Sequence, residues 1–481
     1  MFASLTLTSW AFKISSTSSH ATSKRSKLPL PPSPRSYPLI GHAFSVPSSN
    51  QHVAYREMSE QLNSDIISYS VLGHVVVVLN SLESATDLFV KRALNYSGPL
   101  ELPMLTDQRL FGWGMETSSL RYAERWKRQR KLNQSALHPS ASNDLRTIMI
   151  KQARTSAWRL LQNPGNIAEE VQWLTASNVL SSVYGYQPAY PHDELADLVK
   201  RASHKLGQAA NPGIFYVNAM PWLKYVPSWF PGAGWKRKAK IWRIEKDRMV
   251  NEPFEWTKAQ MSKGVASPSI LKNLLADLEN KRGIAPDIDE EEGIVRWATG
   301  ALFAAGADTI DAALMTFALA MILHPEVQRK AQDEIDSVLE ADRLPDLRDR
   351  ESLPYLNRVL KETLRWNPVA ALGIPHICAQ DDEYRGYLIP KGAIVLCNAW
   401  AICNDTRIYP EPRSFNPDRF LDPSVPDAPV FGMGRRVCPG SYFAADSLFI
   451  MASTLLSIFN FESTPGKPLP KAEFRMESLA S

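Results

Sequence analysis

The stretch that most constrains this chain is a long apolar run from about Glu290 to His324. Ile294, Trp297, Ala298, Ala301, Leu302 and Ala305 recur at helical spacing, so one face of the run is continuous and apolar. Pro325 closes it, because proline cannot donate the next helical hydrogen bond. A helix of this length is unusual in a globular protein. Its middle breaks its own pattern with Ala305-Gly306-Ala307-Asp308-Thr309. A glycine inside a helix costs about 1 kcal/mol relative to alanine. A threonine hydroxyl there can bond back to a carbonyl and bend the helix. An aspartate in so apolar a setting needs a partner or a function. By itself the segment reads equally well as a kink with a satisfied polar pair or as a place where the aspartate has a function.

Elsewhere the pattern is mostly helical. A second helix fits about Pro354 to Trp366 and stops before Pro368; a last one fits Gly440 to Phe459. Ile66 to Leu79 contains the β-type run Val75 to Leu79 between Gly73 and Asn80, and strand-like segments return around Ile389 to Ala399. There is no internal repeat and no alternating βαβ pattern, so the fold class is mainly α with a small β component. With 481 residues, 44% of them hydrophobic, the chain can bury a large core, and 22% charged residues argue against disorder. A net charge of +4 is too small to suggest nucleic acid as a partner. The four cysteines show no Cys-x-x-Cys spacing, so a structural zinc site is not indicated and free thiols in a reducing compartment are expected. Residues 1–27 read as a tail, a truncated membrane anchor or a targeting segment: the apolar start is interrupted at Lys13, and the Ser/Thr-rich basic stretch after it precedes the first acid, Glu57. Residues 28–41 form a proline-rich hinge, and 42–481 a single large domain.

The chemistry concentrates in Phe431-Gly432-Met433-Gly434-Arg435-Arg436-Val437-Cys438-Pro439-Gly440. The glycines permit tight turns. Cys438 stands just before a helix start, where backbone N–H groups stabilise a thiolate, and Arg436 adds positive charge. A lone cysteine in such a turn is ordinarily just a buried thiol. The spacing Phe-x-x-Gly-x-Arg-x-Cys-x-Gly, however, resembles at every position the haem-binding loop of the cytochrome P-450 family.

That resemblance extends from about Leu28 to Ser481 and implies a cytochrome P-450 fold with haem b held by the Cys438 thiolate, Phe431, Arg436 and Gly440 lying around it. Glu362-Thr363-Leu364-Arg365 is similar to the family's Glu-x-x-Arg, and Pro417-Asp418-Arg419-Phe420 stands where the family completes a buried trio. The trio implied is Glu362, Arg365 and Arg419, a structural network. Asp308 and Thr309 resemble the oxygen-activating pair: Thr309 bonds dioxygen, Asp308 relays protons, and Gly306 leaves room. Trp126 and Arg130, in Trp-x-x-x-Arg, are implied to contact haem propionates, and His376 is a further candidate. Arg121, Arg125, Arg128 and Lys131 on the same segment form either a solvated basic face or a docking patch for an acidic reductase.

The implied activity is a monooxygenase that inserts one atom of O2 into a lipophilic small molecule. No flavin or nicotinamide fingerprint is present, Gly112-Trp113-Gly114 being too weak a signal, so NADPH–cytochrome P-450 reductase is the expected electron donor. The detail is most similar to fungal biosynthetic members: Met220 to Gly232 resembles a segment of basidiomycete proteins related to O-methylsterigmatocystin oxidoreductase. A terpenoid or polyketide substrate would suit that habit. Candidate pocket residues lie in Leu100 to Met115, Leu206 to Phe230, Ala298 to Ala305 and Val369 to Ile374. The aromatics of Phe215 to Gly234, beside Lys224, Lys236, Arg237 and Lys238, suit a membrane surface, with core packing as the competing reading. The expected location is the cytosolic face of the endoplasmic reticulum membrane. Two departures stand out: the usual N-terminal anchor is absent or truncated, and only 43 residues follow Cys438. A haem-thiolate isomerase or dehydratase, a non-catalytic haem protein and an inactive truncated member are the competing readings.

Overall fold

Among the described residues, eleven helices of ten or more residues carry the fold in the computed structural model: α1 (Gln51–Gln61), α2 (Glu124–Leu137), α3 (Asn143–Gln162), α4 (Ile167–Tyr184), α5 (Glu194–Ala210), α6 (Gly234–Ser262), α7 (Ile270–Glu279), α8 (Ile288–Leu323), α9 (Pro325–Val338), α10 (Pro354–Trp366) and α11 (Ser441–Leu456). The structure describes residues 28–474 except 38–40, 43–44, 48, 72, 139–142, 211–213, 281–286, 340–342, 465, 467 and 473. The segment read as tail or anchor at 1–27 lies outside the described residues.

α8 is the long apolar run. Its start is fixed by Asp287, whose side chain accepts the Glu290 N–H at 3.0 Å, and by Asp289, Glu290 and Glu291, which face the positive end of the helix dipole. It is long and apolar enough to cross a membrane, by length and composition alone. Here it is the central rod: α2, α4, α5, α6, α7, α9, α10 and α11 all pack against it. Small residues allow this closeness. A Cβ on Gly300 would lie 3.2 Å from Val250 of α6, and one on Gly306 would lie 3.0 Å from Val179 of α4. Gly306 thus lets α4 come close on one side, through Val179, while it also lines the cavity described below.

The β component is a five-stranded sheet in the order β1 (Ile66–Val71), β2 (His74–Leu79), β7 (Ile394–Cys397), β4 (His376–Ile377), β3 (Gly98–Pro99), with a separate hairpin of β5 (Asp382–Tyr384) and β6 (Tyr387–Ile389). Only β2 and β7 run parallel. Val77, Val78 and Leu79 are fully buried, which is why the run carries branched residues without a polar alternation. The carbonyl of Pro32 accepts the Ser68 N–H at 2.8 Å and that of Pro29 the Leu388 N–H at 2.8 Å, so the proline-rich segment is stitched to both sheets.

The aromatic stretch divides. Phe215 and Val217 are buried, whereas Tyr216, Trp222, Tyr225, Trp229 and Phe230 are exposed, next to exposed Arg237, Lys238 and Lys240.

Candidate functional site

One cavity of about 1390 Å³ lies between α8, the Cys438 loop, the 98–119 segment and α5. Cys438 lines it, held by a loop that closes on itself: the Cys438 N–H donates to the Phe431 carbonyl at 2.8 Å. The loop needs its glycines. Gly434 has φ +63°, and a Cβ there would stand 1.9 Å from the Phe89 carbonyl oxygen. The thiol is open to the cavity yet surrounded by protein. Burial pushes its pKa up, opposed by the Gly440 N–H at the start of α11 and by Arg130. Phe431, Arg436 and Gly440 line the same end of the cavity.

Trp126, Arg130 and His376 join them there. Arg130 donates through Nη2 to the Val437 carbonyl, while its Nε is buried without a partner among the described residues. His376, on β4, likewise has a buried, unpartnered Nδ1. Burial, with Arg436 nearby, pushes its imidazole down to about 4, so the ring is neutral. Arg436 is differently employed. It donates to the carbonyls of Ser97 at 3.0 Å, Thr117 at 3.3 Å and Leu120 at 2.7 Å, and its cation lies 4.9 Å from the Trp126 ring centre. It fastens the 97–120 segment to the cysteine loop.

On α8, Ala305, Gly306, Asp308 and Thr309 line the cavity. The Thr309 hydroxyl donates to the Ala305 carbonyl at 2.8 Å, the back-bond anticipated from its place in the helix. Burial raises the Asp308 carboxyl, against which Ser203, Lys200 and His204 of α5 act.

Glu362, Arg365 and Arg419 meet outside the cavity, all buried. Arg365 forks onto the Glu362 carboxylate at 2.7 and 2.8 Å, and Arg419 Nε lies 3.1 Å from both of its oxygens. The surplus positive charge is absorbed by the carbonyls of Cys403 and Pro410, at 2.8 and 2.7 Å.

The basic residues before and along α2 already have partners within the chain: Arg121, still 76% exposed, pairs with Glu101, Arg128 with Glu290 and Glu291, and Arg125 reaches the Gly293 carbonyl at 3.5 Å. Lys131 remains exposed. One expectation is corrected: of the described residues from Leu206 to Phe230, the cavity wall takes Leu206, Gly207 and Ala210 but nothing from 214–230. Lys200, Ser203, His204 and Asp311 line it instead, residues the sequence reading passed over. Their helical spacing, three and four apart on α5 and three beyond Asp308 on α8, was the available signal.

The donor set fits a haem. A mainly apolar cavity carries the Cys438 thiol at a helix start and, near it, two buried unpartnered nitrogens, Arg130 Nε and His376 Nδ1; the first needs an acceptor such as the acidic edge of a porphyrin would supply. Comparison with known proteins agrees. The chain matches the cytochrome P450 family over residues 31–480. It is 37% identical to a cytochrome P450 monooxygenase of Armillaria gallica, over 95% of this chain and 90% of that one. It is 38% identical to the tryptamine 4-monooxygenase of Psilocybe cyanescens, over 82% and 79%. A solved zebra fish cytochrome P450, determined with progesterone, superimposes with a TM-score of 0.73 at 26% identity, covering 88% of this chain and 95% of that one. These relatives carry oxygen-inserting names, which favours that reaction over the isomerase, dehydratase and non-catalytic readings. Since the likeness runs through the central rod, the cysteine loop and the cavity between them, the chain belongs to the cytochrome P450 family and is a haem-dependent monooxygenase.

Proposed function

We propose that Cys438 is the residue whose thiolate would hold the haem iron. Its cofactor is a cysteine-ligated haem, and its reactants are O2, a lipophilic substrate and electrons from a redox partner. Of the four cysteines, Cys378 and Cys403 lie outside the cavity. Cys378 donates instead to the Gln380 carbonyl at 2.9 Å, inside the sheet core. Cys397 does line the cavity, but burial alone acts on its thiol and pushes it up to about 12. Only Cys438 combines cavity access with an N–H donor and a cation, and this observation carries the assignment. The test compares Cys438→Ser with Cys378→Ser. The first is expected to lose the red-shifted band of the reduced, carbon-monoxide-bound form, because a hydroxyl cannot replace thiolate donation. The second is expected to keep it. The reverse result would move the ligand to Cys378.

When bound, the haem supplies the activation of dioxygen and the insertion of one oxygen atom into a C–H bond. The protein does the rest. Arg130, Trp126 and His376 would hold the acidic edge of the cofactor. Phe431 and Gly440 shield and orient the sulfur. Thr309 would present its hydroxyl oxygen to the cavity, and Asp308, whose carboxyl burial raises, would pass protons to it from the α5 side. Arg436 braces the substrate wall. Glu362, Arg365 and Arg419 hold the scaffold beneath.

NADPH–cytochrome P450 reductase is the donor we assign, and the substrate a terpenoid or polyketide intermediate of fungal secondary metabolism. The exposed Tyr216, Trp222, Tyr225, Trp229 and Phe230, rimmed by Arg237, Lys238 and Lys240, support a place on the cytosolic face of the endoplasmic reticulum membrane.

A further inference from the structure

Lys246 of α6 is 2% exposed, among aromatic side chains and behind the cavity wall rather than in it. Burying an ammonium is costly unless its charge and its donors find partners. Lys246 finds three. Its Nζ donates to the Gly112 carbonyl at 3.3 Å, lies 5.1 Å from the Trp297 ring centre and sits 2.5 Å from Oδ1 of Asp247, itself half exposed. An apolar side chain would fill the same space at no such cost. What the lysine adds is direction: it ties α6 to the turn at Gly112, whose φ of +80° bends the chain there.

The next residue is Trp113, which lines the cavity with Leu102 and Leu105. Its N–H donates to the Leu105 carbonyl at 2.9 Å, and its ring meets Trp297 at 6.2 Å and Phe111 at 5.8 Å, edge to face in both cases. The indole N–H is buried and has no partner among the described residues, so packing and the backbone on either side fix the ring rather than a side-chain hydrogen bond. α6 grips the same loop a second time, through Arg243, which donates to the Gln108 carbonyl at 3.0 Å.

We propose that Lys246 is a positioning residue for substrate selectivity, which by holding the Gly112 turn makes Trp113 a rigid part of the cavity wall. The proposal rests on the reading that this cavity holds the haem at Cys438 and the substrate beside it. Lys246 touches neither. Its effect depends on the size of what enters and not on the chemistry at the iron.

The experiment uses the haem-loaded full chain and two azoles that bind haem iron through nitrogen, imidazole and 4-phenylimidazole, titrated by the shift of the haem absorption band. Lys246→Met is expected to keep the thiolate-type carbon-monoxide band and the imidazole Kd, and to change the 4-phenylimidazole Kd by about fivefold or more, the range of coupled neighbours. Trp113→Leu is expected to change the same constant. The double variant should add little beyond Trp113→Leu alone, because the lysine acts through the tryptophan. Lys246→Arg, which keeps a donor, is expected to stay within about twofold of the parent. If Lys246→Met does not load haem, Lys246→Gln takes its place with the same expectation. Equal shifts for both azoles, no shift for either, or strictly additive variants would each overturn the proposal. A parent protein without the carbon-monoxide band would fail the ligand assignment instead, so the two readings fail separately.

Discussion

Asp311 lies three residues beyond Asp308 on α8, with one carboxylate oxygen buried and unpartnered among the described residues. Burial, and then the charge of Asp308, push its carboxyl from 3.8 up to about 6. An acid whose folded pKa exceeds its unfolded one destabilises the fold wherever both states are ionised. That cost is full above about 6, shrinks as the pH falls towards 3.8 and is gone below it. Asp311→Asn is therefore expected to melt higher than the parent at pH 7.5, by up to about 2 kcal/mol after allowing for water in the cavity, with the gap narrowing at pH 4.5. A gap that does not change with pH would mean that the carboxyl titrates as an ordinary one. Thr309 makes a different kind of prediction. Its hydroxyl is satisfied by the Ala305 carbonyl, so Thr309→Ala should leave haem loading and substrate Kd near the parent values. Product formed per NADPH consumed should fall, with peroxide rising, since the hydroxyl acts after binding. Unchanged coupling would remove Thr309 from the proton path.

Among the elements, the cysteine loop is the least forgiving. Gly434→Ala puts a Cβ onto the Phe89 carbonyl and strains a positive φ, a left-handed penalty of about 1–2 kcal/mol before the clash is counted. The variant is expected to retain only a minor fraction of the parent's haem and of its carbon-monoxide band at equal protein; full retention would show that the loop can slide past Phe89. Such elements were legible where the signal is local. α10 was read to the residue, because Pro354 starts it and the residues before Pro368 end it. α8 was read to within two residues, from its period and Pro325. The sequence was silent where the deciding partner is distant. Gly306 is shaped by Val179, Arg128 is claimed by Glu290 and Glu291, and the polar face of α5 turns to Asp308 and Asp311. Nothing in the local pattern of those residues names the neighbour. The stretch at 215–230 was legible only in part: its composition does not say that Phe215 and Val217 turn in while Trp222 and Trp229 turn out. The glycines of the cysteine loop made its tight turn legible, but its reading as a haem-binding loop came through family resemblance. The trio of Glu362, Arg365 and Arg419 was reached through family resemblance, since two sequence-distant arginines on one carboxylate leave no local trace.

The whole molecule is asymmetric, with a fastened cysteine side and an aromatic surface beyond α5. On that surface the expectation is membrane association. Trp222→Ser with Trp229→Ser should markedly reduce flotation with liposomes containing anionic lipid at low salt, and leave the carbon-monoxide band intact, because both rings are exposed. Undiminished flotation would place the contact elsewhere. The brace at Arg436 has a different consequence. It joins the cysteine loop to the substrate wall through the carbonyls of Ser97, Thr117 and Leu120, groups that any amino acid provides. Side chains along the wall can therefore be exchanged over generations without loosening the grip, and a lineage built on this plan can alter its diet while its chemistry stays as inherited.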